Sequence, residues 1–179
     1  MDEALKLENY SYQDYLDIDK NTKERVELID GLIYMMAGAS SAHQDAVGNI
    51  FFILKSRIKE KDSKCHPRIA PYDLKLFKGD DKNVVQPDII LYCKDETPCA
   101  VFEVLSKSTA HKDKSVKKEL YERFGIEEYF IVDTTLKIID KYELHDGKYY
   151  YVKGFNVEDE MRVNCLNEEI SIEEVFENI

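Results

Sequence analysis

The fold of this chain is decided by two strand-like runs, VVQPDIILY at residues 84–92 and AVFEVLS at residues 100–106. A lysine-rich segment with the pattern of a helix, DKSVKKELY, follows at residues 113–121. Each strand-like run carries one carboxylate among apolar residues, Asp88 in the first and Glu103 in the second. Because a carboxylate is costly to bury unless it is paired or bound to a metal, these two residues mark the expected functional site.

The segment between the two runs, residues 94–97, is a polar turn. If the runs form an antiparallel hairpin centred between Asp95 and Glu96, position 88 lies opposite position 103. Directly opposed side chains have their β-carbons about 4.5–5.5 Å apart, and like charges there repel each other. Two carboxylates in this arrangement would share either a proton or a cation. A slip of one residue would instead place them on opposite faces of the sheet.

Size and composition are those of one soluble globular domain, with 179 residues, 44% hydrophobic and 34% charged. We therefore predict a single domain over residues 1–179, with an N-terminal arm and helix at 1–20 and a C-terminal strand and helix at 155–179. No run approaches the roughly 18 apolar residues of a membrane-spanning helix. The opening sequence MDEALK lacks the basic start and apolar core of a secretory signal, so neither export nor a membrane partner is expected.

Four cysteines are scattered along the chain, at positions 65, 93, 99 and 165, without a Cys-x-x-Cys pair. This spacing argues against a zinc site and against a disulfide scaffold. The expected location of the protein is therefore the reducing cytoplasm.

The charge of the chain is uneven, which bears on the ligand it could bind. The formal net charge is −11, and this argues mildly against nonspecific binding of nucleic acid, where Lys and Arg must replace counterions. Between residues 107 and 118, however, five lysines and one aspartate give a local charge of +4. A basic patch beside the acidic pair could hold a phosphate, although a solvated helix face gives the same pattern.

Hydrophobic periodicity predicts a mixture of helices and strands around the two runs. Asp30-Gly31 is a strong two-residue turn signal and predicts a hairpin over residues 24–36, with Glu27 in its first arm. Residues 42–60 have the apolar spacing of a helix, and His43 lies in its first turn. Further strands are predicted at 72–77, 128–133, 136–145, 148–153 and 160–165, and further helices at 112–124 and 171–177.

The order of these elements indicates the fold class. A strand, a crossover helix and a second strand, at 100–105, 112–124 and 128–133, allow one parallel pairing. The class is therefore α/β or α+β, with a mixed β-sheet flanked by helices.

The predicted helix at 112–124 has two stripes of side chains about 100° apart around its axis. The stripe expected to be buried consists of Val116, Leu120 and Phe124. The second stripe, at the edge of the buried face, consists of Asp113, Lys117 and Tyr121. A side chain at that edge can reach the floor of a site and remain polar.

Several motifs occur in an order that resembles a known family. They are Gln86-Pro87-Asp88, EVLSxST at 103–109, DxxxKxxxY at 113–121, and GIxEYFIVD at 125–133. The piece VELIDG at 26–31 and the helix start at His43-Gln44 fit the same pattern. Together these motifs resemble the Uma-type family of endonucleases, of the PD-(D/E)XK, restriction-endonuclease-like superfamily. The resemblance covers residues 10–155 and is specific in the combination of motifs.

The resemblance implies a nuclease dependent on Mg²⁺ or Mn²⁺, with a restriction-endonuclease-like core. Asp88 matches the superfamily's aspartate after proline, and Glu103 matches the first acidic residue of its second motif. In the superfamily these two residues bind the metal with the main-chain carbonyl of the residue that matches Val104. Mg²⁺ prefers oxygen ligands and keeps several waters, so two carboxylates suffice. The implied partner is nucleic acid, expected to be DNA, and a homodimer would suit a double-strand cutter.

One position departs from the superfamily pattern, because Leu105 stands where a lysine is expected. The Uma-type pattern also lacks that lysine, and Lys117 on the next predicted helix is the obvious substitute. In this scheme Lys117 stabilises the developing charge, Glu27 is a further ligand or holds the water, and His43 supports acid–base or phosphate contacts. The residues that would contact the nucleic-acid backbone are Lys112, Lys114 and Lys118.

The same residues also allow structural interpretations. Asp88 could be a solvated strand-edge residue, Glu103 could form a structural ion pair with Lys117, and Glu27 could pair with a lysine across its hairpin. His43 could cap or pack its helix. The remaining members of the second stripe, Asp113 and Tyr121, would then orient the lysine or simply cap and pack.

Two other classes of function remain open. One is a catalytically degenerate binding or regulatory module of the same fold, which predicts metal affinity without turnover. The other is a metal-dependent hydrolase of a small phosphorylated molecule, which predicts activity on nucleotides and none on DNA. The sequence has no Gly-rich phosphate loop and no Gly-x-Ser-x-Gly motif, which argues against a nucleoside triphosphatase and a serine hydrolase.

Overall fold

The structure, a computed structural model, describes residues 9–36, 38–94, 97–106 and 113–179, without the side chains of residues 113 and 114. The chain divides into two units. The first comprises Met1–Gly38 and Asp73–Gln86, and the second comprises Ala39–Tyr72 and Pro87–Ile179. The expectation of a single domain over residues 1–179 stays a prediction.

Helices and strands alternate along the described residues. The helices are α1 (Tyr12–Asn21), α2 (Ser41–Glu60), α3 (Lys118–Arg123) and α4 (Ile172–Val175), and a π-helical turn, Asp113–Lys117, leads into α3. The strands are β1 (Val26–Ile29), β2 (Leu32–Met35), β3 (His66–Ile69), β4 (Leu74–Lys75), β5 (Val84–Val85), β6 (Ile89–Tyr92), β7 (Ala100–Val104), β8 (Glu128–Asp133), β9 (Ile138–His145), β10 (Lys148–Phe155), β11 (Glu160–Val163) and β12 (Glu168–Ser171). Within those same ranges, no helix is both long enough and apolar enough to cross a membrane.

The first unit is built on the predicted hairpin. β1 and β2 pair in antiparallel fashion, with Val26 opposite Met35, and β5 and β4 extend them into a sheet in the order β2-β1-β5-β4. The turn residues Asp30 and Gly31 have φ values of 49° and 77°, the left-handed conformation that this tight turn requires. α1 begins at Ser11, whose hydroxyl accepts a hydrogen bond from the N–H of Asp14, as its sequence position predicts.

The second unit is organised on a six-stranded sheet in the order β10-β9-β8-β7-β6-β3. Four of its five pairings are antiparallel, and β7 and β8 are parallel, with Phe102 opposite Phe130. The crossover between these two strands contains the π-helical turn and α3. A mixed sheet flanked by helices is the predicted fold class, so that prediction is confirmed.

The pairing of β6 with β7 has the predicted register. Ile89 lies opposite Phe102 and Leu91 lies opposite Ala100, so the next position along the ladder places residue 88 opposite residue 103. The two residues on which the hairpin was centred, Asp95 and Glu96, lie outside the described residues. The register was therefore predicted from the lengths of the two strand-like runs and not from the conformation of the turn.

α2 supplies one side of the core of the second unit. Its buried stripe consists of Ala46, Val47, Ile50, Ile53, Leu54 and Ile58. These residues cluster with inward-facing residues of the sheet such as Ile89, Phe102 and Phe130, and the rings of the two phenylalanines stack at 4.3 Å between centroids. The helix begins at Ser40, whose hydroxyl accepts a hydrogen bond from the N–H of His43.

Some predicted elements have different bounds in the structure. The predicted strand at 72–77 forms only at Leu74–Lys75, and the main-chain N–H of Leu76 donates one further hydrogen bond to the carbonyl of Asn83. The predicted helix at 112–124 starts, within the described residues, as the π-helical turn and becomes regular only at Lys118–Arg123. The last strand is shorter than predicted, at Glu160–Val163, and pairs with β12, which the sequence pattern did not indicate.

The prediction that the cysteines do not form disulfides is wrong. Cys65 is bonded to Cys93, and Cys99 is bonded to Cys165. The first bond follows from the sheet, because β3 and β6 pair with His66 opposite Tyr92, which brings the preceding and following residues face to face. The spacing of the cysteines along the chain does not show which strands pair. Because both disulfides are present, the cysteines no longer support a reducing location.

Candidate active site

Asp88 and Glu103 are both buried at the β6–β7 pair. Glu103 lies within β7 and is 3% exposed, whereas Asp88 directly precedes β6 and is 7% exposed. The Oδ2 atom of Asp88 accepts a hydrogen bond of 2.8 Å from the main-chain N–H of Val104, the neighbour of Glu103. The two acids are therefore tied to one another through the backbone of β7.

His43 contacts the same oxygen of Asp88. Its Nε2 atom lies 3.2 Å from Oδ2, and both side chains are about nine-tenths buried. A ring nitrogen this close to a carboxylate oxygen must carry the proton, because two lone pairs would repel each other. Among the described residues, Nδ1 of His43 is buried without a hydrogen-bond partner. A buried unsatisfied atom of this kind is uncommon and suits a ligand or a water.

Glu103 forms a separate set of contacts with the crossover. Its Oε1 atom accepts hydrogen bonds from Nζ of Lys117, at 2.9 Å, and from the hydroxyl of Tyr121, at 2.6 Å. Lys117 is 1% exposed and Tyr121 is fully buried. A buried ion pair with a second donor satisfies the carboxylate far better than a single contact would.

These contacts correct the prediction of which side chains on the crossover helix are buried. Lys117 and Tyr121 are buried, whereas Val116 and Phe124 are only half-buried and Leu120 is buried as predicted. The prediction assumed a spacing of 3.6 residues per turn. The π-helical turn is wider than an α-helical turn, so the phase of the side chains shifts at its start.

The basic residues predicted to contact nucleic acid are described only in part. Lys112 lies outside the described residues, as do the side chains of Asp113 and Lys114. Lys118 is half-buried, and its Nζ atom lies 4.5 Å from the centre of the Tyr142 ring. An ammonium over an aromatic face is a stabilising contact within the protein, so Lys118 has a structural contact, and its contact with nucleic acid stays a prediction.

Glu27 lies in the first unit, within β1, and is fully buried. Its Oε1 atom accepts a hydrogen bond of 2.9 Å from the main-chain N–H of Gln86. The side chain of Gln86 in turn accepts from Nε of Arg25 at 2.8 Å and donates to Asp73 at 3.0 Å. The structure thus pairs Glu27 with Gln86, the residue that directly follows β5. The predicted role of Glu27 at the acid pair stays a prediction.

The acid pair offers oxygen ligands, which is the donor chemistry that Mg²⁺ prefers. In the part of the chain that the structure describes, Oδ1 of Asp88 has no hydrogen-bond partner, since both contacts of its carboxylate go to Oδ2. The residues that could hold a metal are therefore Asp88, Glu103 and Val104, the last through its main-chain carbonyl. This donor set fits the ion that the resemblance implies.

A second buried ion cluster was not indicated by the sequence pattern. Nζ of Lys141 lies 3.0 Å from Glu128 and 2.7 Å from Glu143, and Glu128 also accepts hydrogen bonds from the main-chain N–H groups of Asn164 and Cys165. Burial alone would raise the pKa of Glu143, but its hydrogen bonds from Lys141 and Asn164 outweigh it and the pKa is lowered. The signal that could have found it is Glu128 at the start of β8, a strand that is apolar from residue 129 to residue 132.

Tyr121 is the residue whose contribution to the site is most easily measured. Replacing it by Phe removes the hydroxyl that donates to Glu103, and we expect the free energy of unfolding to fall by about 1.5–3 kcal/mol, as for hydrogen bonds to charged groups. The matched control is Tyr151→Phe, which removes an exposed hydroxyl that donates to Asp140 at 3.0 Å and should cost under about 0.5 kcal/mol. Urea denaturation of the two variants checks this, and equal losses would contradict the assigned contact.

The mixed sheet with one parallel pairing is the fold expected of the restriction-endonuclease-like class. A model of the family described as "Uma2: Putative restriction endonuclease" matches residues 12–173. The chain therefore belongs to the Uma2 family, which confirms the resemblance seen in its motifs.

The similar proteins agree with this membership. The chain is 24% identical to the uncharacterized protein slr1290 of Synechocystis sp., covering 94% of this chain and 92% of the relative, and 25% identical to the uncharacterized protein sll1609 of the same organism, covering 73% and 78%. A crystal structure described as a putative nuclease belonging to DUF820, from Anabaena variabilis, is similar with a TM-score of 0.72 and 15% identity, covering 93% of this chain and 97% of that chain. At this identity the structural likeness shows the fold.

Proposed function

We propose that this protein is a Mg²⁺-dependent endonuclease that hydrolyses phosphodiester bonds of nucleic acid, with DNA as its substrate. The observation that carries the proposal is the pairing of β6 with β7, which sets Asp88 opposite Glu103, with the amine of Lys117 2.9 Å from the latter. Membership of a nuclease-like family supports the reaction class. The metal, the choice of DNA and the roles of individual residues are the parts that experiment must test.

Asp88, Glu103 and the carbonyl of Val104 are the groups that would hold Mg²⁺. When bound, Mg²⁺ would polarise the scissile phosphate and lower the pKa of a bound water. The protein orients its carboxylates before any ligand arrives, since the N–H of Val104 holds Asp88 and the crossover holds Glu103. Preorientation of this kind is what makes electrostatic stabilisation effective.

Lys117 and His43 have complementary roles in this proposal. The ammonium of Lys117 can donate to a phosphate oxygen as negative charge develops, while one of its N–H groups stays hydrogen-bonded to Glu103. His43 contacts Asp88 directly and acts as a positioning residue for it, with Nδ1 available to a water or a phosphate oxygen. Glu27 remains a proposed further ligand or water-holding residue. A homodimer would present one site to each strand of a duplex.

The test is incubation of the full-length protein with supercoiled plasmid, single-stranded DNA, RNA of the same sequence and nucleoside triphosphates. Each substrate is combined with Mg²⁺, Mn²⁺ or a chelator. We expect cleavage of DNA with either metal and none with the chelator. The control for a contaminating nuclease is the double variant Asp88→Asn with Glu103→Gln, purified in parallel.

Three outcomes would contradict the proposal, and each leads to a different interpretation. Equal cleavage by the double variant would show contamination. Calorimetric binding of Mg²⁺ without turnover of any substrate would indicate a catalytically degenerate binding module. Release of phosphate from nucleotides without cleavage of DNA would indicate a hydrolase of small phosphorylated molecules.

A further inference from the structure

All four cysteines converge at one end of the six-stranded sheet, although they are far apart in sequence. Cys65 directly precedes β3, Cys93 directly follows β6, Cys99 directly precedes β7, and Cys165 lies between β11 and β12. The Sγ atoms of Cys93, Cys99 and Cys165 all lie within 4.8 Å of one another, and Cys65 is bonded to Cys93. Two disulfides that only cross-link separate parts of the chain would not need to lie this close together.

The backbone around the cysteines is fixed by contacts that do not involve sulfur. The main-chain N–H of Cys99 donates to the carbonyl of Leu91 at 2.9 Å. The carboxylate of Glu128 accepts from the N–H of Cys165 at 3.0 Å and is itself paired with Lys141. The positions of the sulfur-bearing segments would therefore survive reduction of the disulfides.

A cavity of about 290 Å³ opens beside the cluster and gives access to it. Its walls include Cys93, Cys99 and Cys165, and the side chain of Lys94 also lines it. The three sulfur-bearing residues are half-buried, neither sealed in the core nor fully exposed. A small reductant or a metal ion can therefore reach the sulfur atoms, and the wall beside them carries one basic and one acidic residue, Lys94 and Glu127.

We propose that the four cysteines form a reversible site, which holds two disulfides when oxidised and one Zn²⁺ ion on four thiolates when reduced. Tetrahedral zinc with Zn–S bonds of about 2.3 Å requires sulfur atoms about 3.8 Å apart. Three of the four sulfur atoms already lie within 4.8 Å of one another, and the fourth, that of Cys65, is bonded to one of the three, so reduction would leave four thiols in one small region. The proposal stands on the cysteines alone and does not depend on the proposed nuclease function.

The change of state requires a thiol reductant. Each disulfide takes two electrons and two protons from one dithiol, which leaves as its own cyclic disulfide, so two dithiols give four cysteine thiols. Binding of Zn²⁺ to four thiolates then releases the four thiol protons and leaves a net charge of −2. In a reducing compartment the zinc form is the expected state.

The cluster clamps the turn end of the β6–β7 hairpin, whereas Asp88 and Glu103 lie at the other end. β6 has four residues, so the two sites are separated by about 13 Å of paired strand. Zinc or disulfide at the turn end would hold the pairing on which the register of the acids depends. The expected consequence is on stability of the hairpin and not on the chemistry of the acid pair.

The test uses the full chain, reduced with dithiothreitol and freed of it by gel filtration without oxygen. Zinc is added, the excess is removed, and bound metal is measured. We expect one zinc per chain in the parent protein, at least a tenfold weaker affinity in Cys165→Ser and in Cys65→Ser, and parent-like binding in the control Thr97→Ser, which changes the cavity wall and keeps every thiol. Oxidation with diamide should release the zinc, and the metal-free oxidised chain should weigh four hydrogen atoms less than the metal-free reduced chain.

Several results would overturn this proposal. Reduced parent protein that binds no zinc, or cysteine variants that bind as much as the parent, would exclude the site. Loss of zinc in Asp88→Asn and not in the cysteine variants would place the ion at the acid pair. Alkylation of the reduced parent with and without zinc needs no variant to fold, and we expect zinc to protect all four thiols; equal labelling would be decisive against it.

Discussion

Replacing Lys117 by Met is expected to lower the free energy of unfolding by about 3–5 kcal/mol, because it removes the cation of a buried ion pair with Glu103. Lys117 and Glu103 have side chains 2% and 4% exposed, with 2.9 Å between Nζ and Oε1. Tyr121 continues to donate to Glu103, but a neutral hydroxyl does not balance its charge. Chemical denaturation followed by circular dichroism measures the loss.

The double variant Lys117→Met with Glu103→Gln separates a lost charge partner from a damaged core. Removing both charges should recover most of the stability, since a buried pair replaced as a whole is often nearly neutral. The matched single control is Lys59→Met, an exposed lysine in the last turn of α2, for which we expect a change within about 0.5 kcal/mol. A double variant no more stable than Lys117→Met would show that the lysine acts through packing.

Replacing Asp88 by Asn is expected to lower metal-dependent cleavage of DNA by at least about 100-fold while leaving the fold intact. The Asn carbonyl oxygen can still accept from the N–H of Val104, so the local backbone is retained. What the variant loses is the charged oxygen that would hold the cation. Initial rates on plasmid, with Mg²⁺ varied, show whether the loss lies in metal affinity or in turnover at saturating metal.

The control for Asp88→Asn is Asp146→Asn, an exposed aspartate of the β9–β10 turn whose φ of 50° asparagine adopts readily. It makes the same chemical change far from the acid pair in sequence and should cleave at the parent rate. Thermal melts of both variants should match the parent within a few degrees. A folded Asp88→Asn that cleaves at the parent rate would remove this residue from the proposed metal site.

The acid pair and its lysine could be predicted because each depends on short-range rules. Opposition of residues 88 and 103 follows from counting along two strands around one turn, and β-pairing has a side-chain period of two. Lys117 and Tyr121 share a helix face because they are four residues apart. The degree of their burial was not predicted, since the π-helical turn changes the phase of the helix.

Contacts that cross the fold could not be predicted from the sequence. Nothing in the spacing of His43 indicates that α2 delivers it to Asp88, a distance of 45 positions along the chain. The cysteines show the same limit more strongly, because the absence of a Cys-x-x-Cys pair suggested isolated thiols, and the fold brings all four together. Both results depend on which distant segments pack against one another.

The sequence by itself determined most of the helices and strands, the mixed sheet with one parallel pairing, the β6–β7 register and the family, because periodicity, turn signals and motif order are local properties of a chain. Only the tertiary structure decided that His43 contacts Asp88, that Lys117 and Tyr121 are fully buried on Glu103, and that four separate cysteines meet. These contacts join residues from distant segments, and the packing of helices on the sheet, which no local pattern encodes, selects them.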